Sequence, residues 1–214
     1  MSSRERILAG LRQRTAQPFP DAAPPDTYRP VVPREDLLPA GLRRRFVEEA
    51  RRAGCVVYEA ETAESAVAAI VTLVGADAAI SSWDLAHVPL PGRAAALAAA
   101  GVARVGQDAA VRVGLTGADA ALAATGSLVL LSGPGRPRAA SLLPPVHVAV
   151  VAADQIVPDL ESWWAAQTVD GLGGVRQSSS VVVVTGPSRT ADIAMQLVMG
   201  MHGPREVHVV LVGE

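Results

Sequence analysis

The sequence predicts an α/β protein built on an open, doubly wound and mainly parallel sheet, and three observations carry that expectation. Helical patterns alternate with short apolar runs from Leu42 onward. Four runs, Leu128–Leu131, Val146–Val151, Val181–Thr185 and Val207–Val212, are almost wholly aliphatic, the pattern of parallel strands covered on both faces. Half of the 214 residues are hydrophobic (50%), yet the aromatics are only Phe 2, Trp 3 and Tyr 2, so Ala, Val, Leu and Ile must fill the core.

The elements follow in order. Residues 1–14 place Ile7, Leu8 and Leu11 at helical spacing among Arg4, Arg6, Arg12 and Arg14, too short an apolar stretch for a secretory leader. Seven of the 16 prolines fall between Pro18 and Pro39, so residues 1–36 read as an N-terminal helix with a Pro-rich arm, and the domain proper as 37–214. A helix over Arg43–Ala53 stops at Gly54 and a strand follows at Cys55–Tyr58. Thr62 caps a helix through Val74, Ala78–Ser81 is a strand, Arg93–Ala100 a helix and Ala103–Val105 a strand. Thr116-Gly117 opens a short helix that Thr125-Gly126 closes. Helices over Pro158–Gln167 and Thr190–Met199 separate the last three strands, and ligands are expected beyond the carboxyl ends of the sheet.

Composition removes whole classes of chemistry. No lysine is present, so a Schiff base, a pyridoxal-phosphate anchor and a Walker-type phosphate loop are impossible. Cys55 is the single cysteine, so the chain cannot supply a thiolate zinc cage, an iron–sulfur cluster or an internal disulfide. Asparagine is absent and with it any N-glycosylation acceptor, and charged residues interrupt the greasiest stretches. The chain is therefore read as soluble and cytoplasmic, with no membrane span. Residues 1–52 hold eleven Arg against seven acids, the remainder eight Arg against fourteen acids, a basic arm before an acidic body. The arm is expected to pack on its own body or on a sister subunit in a homo-oligomer, and the net charge of −2 with no recognisable reading helix argues against nucleic acid.

Three segments could carry chemistry. In Val181–Ile193 a strand, a Gly186-Pro187 turn and a predicted helix start would offer free N–H groups to an anion, with Ser188 or Thr190 as cap, Arg189 as a bidentate grip and Asp192 in the first turn. The same residues also serve plain turn and capping needs. In Gly114–Val129, Asp119 could hold a ligand hydroxyl or a loop amide, or simply complement a helix dipole. In Gly133–His147, Arg138 and Ser141 could contact a carboxylate or other anion, or be solvated loop residues. His147 opens an aliphatic strand, which favours a hydrogen-bonded structural role, whereas His202, in a His-Gly-Pro turn, has the pKa for acid–base work near neutrality. A Ser188–His202–Asp192 triad lacks a nucleophile elbow, and the four histidines show no metal-ligand spacing, so no catalytic residue and no metal ligand is assigned.

Gly114–Val151 and Val181–Val212, with their GPSRTADI stretch and HGP turn, resemble the LUD domain of the lactate-utilization protein C family. The resemblance implies a three-layer α/β/α fold of the NagB/RpiA/CoA-transferase-like kind. It also implies a part in L-lactate oxidation to pyruvate beside iron–sulfur partner subunits, within an iron–sulfur lactate dehydrogenase system. With one cysteine, this chain would be the cluster-free accessory or ligand-binding subunit, binding no cofactor itself. Ala124 stands where the family commonly has Glu. The ligand-binding residues expected are Thr116, Gly117, Asp119, Thr125, Gly126, Arg138, Ser141, Gly186, Ser188, Arg189, Thr190, Asp192 and His202. The alternative is an independent enzyme or sensor that binds a phosphorylated or carboxylated metabolite, or coenzyme A, on the same scaffold.

Overall fold

The computed structural model describes residues 2–15, 36–90, 92–106, 110–169, 171–191 and 197–213. Most of the Pro-rich arm and Asp192 lie outside the described residues. The chain forms a three-layer α/β/α fold around a six-stranded, wholly parallel sheet, with a second four-stranded sheet beside it.

In chain order, α1 spans Ser3–Thr15, α2 Pro39–Arg52, β1 Val56–Ala60, α3 Ala63–Val74, β2 Ala79–Ser82, α4 Arg93–Ala99, β3 Ala103–Val105 and β4 Val113–Thr116. Then come β5 Ala120–Leu122, β6 Ser127–Ser132, α5 Ala139–Leu142, β7 Val146–Ala152, β8 Ile156–Val157, α6 Leu160–Val169 and α7 Gly173–Gln177. The chain closes with β9 Ser180–Val184, β10 Arg189–Ala191, β11 Leu197–Met199 and β12 Glu206–Val212. The parallel sheet runs β1-β12-β7-β4-β2-β3 and the second sheet β8-β5-β6-β9.

Local chemistry explains several boundaries. Thr62 caps α3 in a reciprocal box with Ser65, each side chain bonding the other's backbone N–H. Helix α2 begins four residues before Arg43, with Pro39 in its first turn where a missing N–H costs nothing. Among the described residues no helix is long and apolar enough to cross a membrane.

Adjacent strands β4 and β7 leave the parallel sheet together, and their continuations β5 and β8 pair parallel again in the second sheet. Helix α2 fills the space between, touching β1, β6 and β8. Its Phe46 and Ala50 are fully buried and join Ile70 and Val74 of α3, Leu128 and Leu130 of β6 and most of β7 and β12 in the main core. A fully buried Phe or Ile contributes ~1.5–3 kcal/mol relative to an exposed one, so this aliphatic interior stabilises the fold without further aromatic help. The alternate residues of β6, Val129 and Leu131, face Trp163 of α6 in a smaller cluster.

Three expectations are corrected. The runs Leu128–Leu131 and Val181–Thr185 are strands, but β6 pairs antiparallel with both β5 and β9 in the second sheet, and Val181 and Val183 are exposed rather than covered on both faces. The short helix expected between Thr116 and Thr125 is instead strand β5 and a turn, because pairing with β6 overrides the helix propensity of its alanines. The helix expected over Thr190–Met199 is replaced, where described, by β10 and β11, paired antiparallel with Thr190 opposite Val198.

The close approach of α2 to the β5–β6 turn requires glycine at Gly126, whose φ is +64° and whose Cβ would lie 2.0 Å from the Ala50 amide nitrogen. Gly126→Val is expected to destabilise the protein by about 3 kcal/mol, combining backbone strain with overpacking. The loss would show as a lower urea midpoint at unchanged m-value. A wild-type midpoint would mean that α2 does not seat on this turn.

Candidate functional site

The carboxyl ends of β2 and β4 are where an open parallel sheet leaves a crevice. From β2 the chain runs through Trp83 and Asp84 into a helical turn at Leu85–His87, and from β4 through Gly117 to Asp119. The two paths cross tightly: a Cβ on Gly117 would lie 2.3 Å from the His87 carbonyl oxygen. After β6, a turn bridged between Gly133 and Arg136 folds back over the same edge, where the Asp84 N–H donates to the Gly135 carbonyl at 2.6 Å. A Cβ on Gly135, at φ +72°, would sit 3.2 Å from His87 Nε2. Three segments thus bring Trp83, His87, Asp119 and Arg136 together.

Asp119 is the electrostatic centre of this group. One carboxylate oxygen accepts the Leu131 N–H at 2.7 Å, and the other accepts Arg136 Nη1 at 2.7 Å. Both side chains are about four-fifths shielded, at 22% and 23% exposure. Burial pushes the Asp119 carboxyl above its ordinary range, and the Leu131 N–H, the Arg136 guanidinium and His87 pull against it. The guanidinium carbon lies 5.9 Å from the centroid of the Trp83 ring. Two buried donors here, Arg136 Nε and Trp83 Nε1, have no hydrogen-bond partner among the described residues. A guanidinium held by one nitrogen, with a desolvated donor to spare, is suited to a planar carboxylate.

The expected site residues divide between this edge and other places. Thr116, Gly117 and Asp119 belong to the carboxyl edge, although Thr116 is fully buried and its Oγ1 bonds His147 Nε2 at 2.9 Å. Thr125 Oγ1, Ser127 Oγ and Thr185 Oγ1 form a chain of 2.7 Å hydrogen bonds at the far end of the β5–β6 hairpin, beside Gly126. Gly186, Ser188, Arg189 and His202 lie at the amino ends of the parallel strands. There the Ser188 N–H donates to the Pro204 carbonyl, Arg189 Nη2 donates to the Ala53 carbonyl at 3.0 Å, and the His202 N–H meets Ser188 Oγ at 3.4 Å. Gly186 packs on Ala53, and burial pushes the neighbouring Cys55 thiol upward against the pull of the Gly186 N–H and Arg189.

The chain enters β10 here, so among the described residues no helix starts at Ser188, Arg189 or Thr190, and the turn's Ser188 amide is already spent. Arg138 is exposed and Ser141 Oγ donates to the Arg138 carbonyl, a local bond from α5 to the residue that precedes it. Asp119 is not a helix-dipole partner, since β5 takes the place of that helix. The sequence reading missed Arg136, Trp83 and His87 as site groups. The usable signal was the tight Gly133-Pro134-Gly135-Arg136 turn, which aims Arg136 at the one acid in the preceding loop. No three His, Cys, Asp or Glu side chains converge as a metal centre among the described residues.

Comparison with known proteins adds ancestry to this geometry. The LUD domain family matches residues 43–212. Lactate utilization protein C of Halalkalibacterium halodurans is 40% identical over 92 residues, which are 43% of this chain and 40% of that one. The protein of the same name from Bacillus subtilis is 37% identical over 102 residues, covering 48% and 42% of the two chains. An uncharacterized protein of Neisseria meningitidis is 34% identical over 104 residues, covering 48% and 42%. The matched stretch spans less than half the length of each of these relatives. A crystal structure of a DUF162 family protein from Deinococcus radiodurans, at 1.70 Å, superposes with a TM-score of 0.60 and 23% identity over 83% of this chain and 100% of that one.

His147, fully buried beneath the site's Thr116, makes stability depend on pH. Burial, with the charge of His208 on the next strand adding to it, pushes its pKa down from 6.5 to about 4. Between those values the unfolded chain binds a proton that the folded one refuses, so stability is complete above about 6.5 and falls as pH drops towards 4, by roughly 3 kcal/mol. Urea titrations from pH 7 to pH 4.5 should show this slope, and His147→Gln should flatten it. An unchanged slope in that variant would refute the assignment.

Proposed function

The chain belongs to the LUD domain family, and from that membership we propose that it serves L-lactate oxidation as a cluster-free subunit that binds a small carboxylate at the Asp119–Arg136 edge. The observation that carries the reading is the buried, unpartnered Nε–H of Arg136 beside a guanidinium already anchored through Nη1. A lactate or pyruvate carboxylate would take the remaining donors of Arg136, and Asp119 would keep the guanidinium oriented. The Trp83 ring, 5.9 Å from the guanidinium carbon, would exclude water and strengthen the ion pair.

Turning L-lactate into pyruvate removes two electrons and two protons, and an iron–sulfur cluster needs several thiolate ligands. One cysteine, Cys55, does not fit such a cluster. The redox groups therefore belong to partner subunits in this proposal, and this chain's share is to bind and orient the acid. The kinship with lactate utilization protein C of two bacilli supports that division of labour.

Titration calorimetry with L-lactate and pyruvate tests the reading. Saturable binding is expected, and Arg136→Ala should weaken it about 10- to 100-fold, the usual worth of charge-assisted hydrogen bonds in a shielded site. Arg189→Ala should leave affinity unchanged. Equal affinity in Arg136→Ala, or loss confined to Arg189→Ala, would move the site to the opposite end of the sheet and overturn the proposal.

A further inference from the structure

Among the described residues, two apolar surfaces are exposed to solvent. Helix α1 exposes Ile7 at 64% and Leu11 at 54%, with Leu8 between them on the same side of the helix. On the body, Trp163 of α6 packs on β5 and β6, while Val181 and Val183 of the neighbouring β9 stay exposed. The result is a groove of about 390 Å³ lined by Leu160, Glu161, Trp163, Trp164, Val181 and Val183. Its floor is a strand face, Val181 at 38% and Val183 at 43% exposure, and its wall is a helix, so the vacant position is the one a second helix parallel or antiparallel to α6 would take.

We propose that α1 docks into the α6–β9 groove of its own chain, laying Ile7, Leu8 and Leu11 on Val181, Val183 and Trp164. Charge matches as well as polarity. Residues 3–15 carry four Arg against one Glu, and the one charged residue that lines the groove is the acid Glu161. The connection also suits it. The 23 residues from 16 to 38 can span up to ~75 Å when extended. A body of this size has a radius of gyration of roughly 16 Å, so every point on its surface is within reach. A tether of that length holds the helix at an effective concentration of the order of millimolar, which favours its own body over a neighbour's.

Cross-linking in the full chain decides it. Leu8→Cys with Val183→Cys should oxidise to an intrachain disulfide about tenfold faster than Leu8→Cys with Leu143→Cys, whose partner is exposed elsewhere on the body. Cys55 is buried and does not compete. Of the three tryptophans only Trp164 is exposed, so acrylamide quenching reports the groove, and Ile7→Asp with Leu11→Asp should raise it. Cross-linking no faster than the control, together with quenching that the aspartates leave unaltered, would overturn the proposal. Disulfide dimers alone would overturn it too, and would assign the helix to a second copy.

Discussion

A carboxylate that is about four-fifths shielded must be compensated, and the carboxyl edge of this protein is arranged around that demand. Asp119 takes the Leu131 amide from one direction and the Arg136 guanidinium from another. The first bond ties the start of the β5–β6 hairpin to its return strand. The second ties the Gly133–Arg136 turn down over the ends of β2 and β4. Removing the acid would leave a largely buried guanidinium unpaired, whereas the arrangement as it stands leaves that guanidinium one unspent donor. Structural and ligand-binding roles therefore meet in a single pair.

The path of the chain makes that pair possible. Strands β4 and β7 both run out of the parallel sheet into a second one, so two sheets share their connections at one edge. Gly117 permits the crossing with His87, and Gly126, at the other end of the hairpin, permits α2 to press against the turn. With both contacts in place the hairpin cannot slide, and the position of Asp119 relative to Trp83 is fixed by backbone rather than by side-chain choice.

Much of the scaffold was legible from residue pattern. The Thr62 cap, β7, β12 and α6 lie where periodicity put them, because each depends on local capping or on burial. Neighbour identity was not legible. An aliphatic run such as Leu128–Leu131 records that both faces are covered, not which strand lies beside it or in which direction. The alanines of β5 and the described ends of the Thr190–Met199 stretch favour helix locally, and strand pairing overrides them. At the site, Thr116, Gly117 and Asp119 stood out from their glycine-rich context. Arg136 was hidden beside Arg138 until the turn showed which of the two points inward. Arg189 looked like an anion grip because a helix was expected after it, whereas it opens strand β10 and its guanidinium reaches the Ala53 carbonyl.

The central claim is that Arg136 keeps an unspent donor for a carboxylate guest. Side-chain ¹⁵N–¹H spectroscopy of the arginine Nε–H groups during a pyruvate titration tests it most directly. The account predicts a saturable downfield shift of the Arg136 Nε–H resonance with the Arg189 signal unmoved. An Arg136 resonance that stays in place while ligand binds would contradict it.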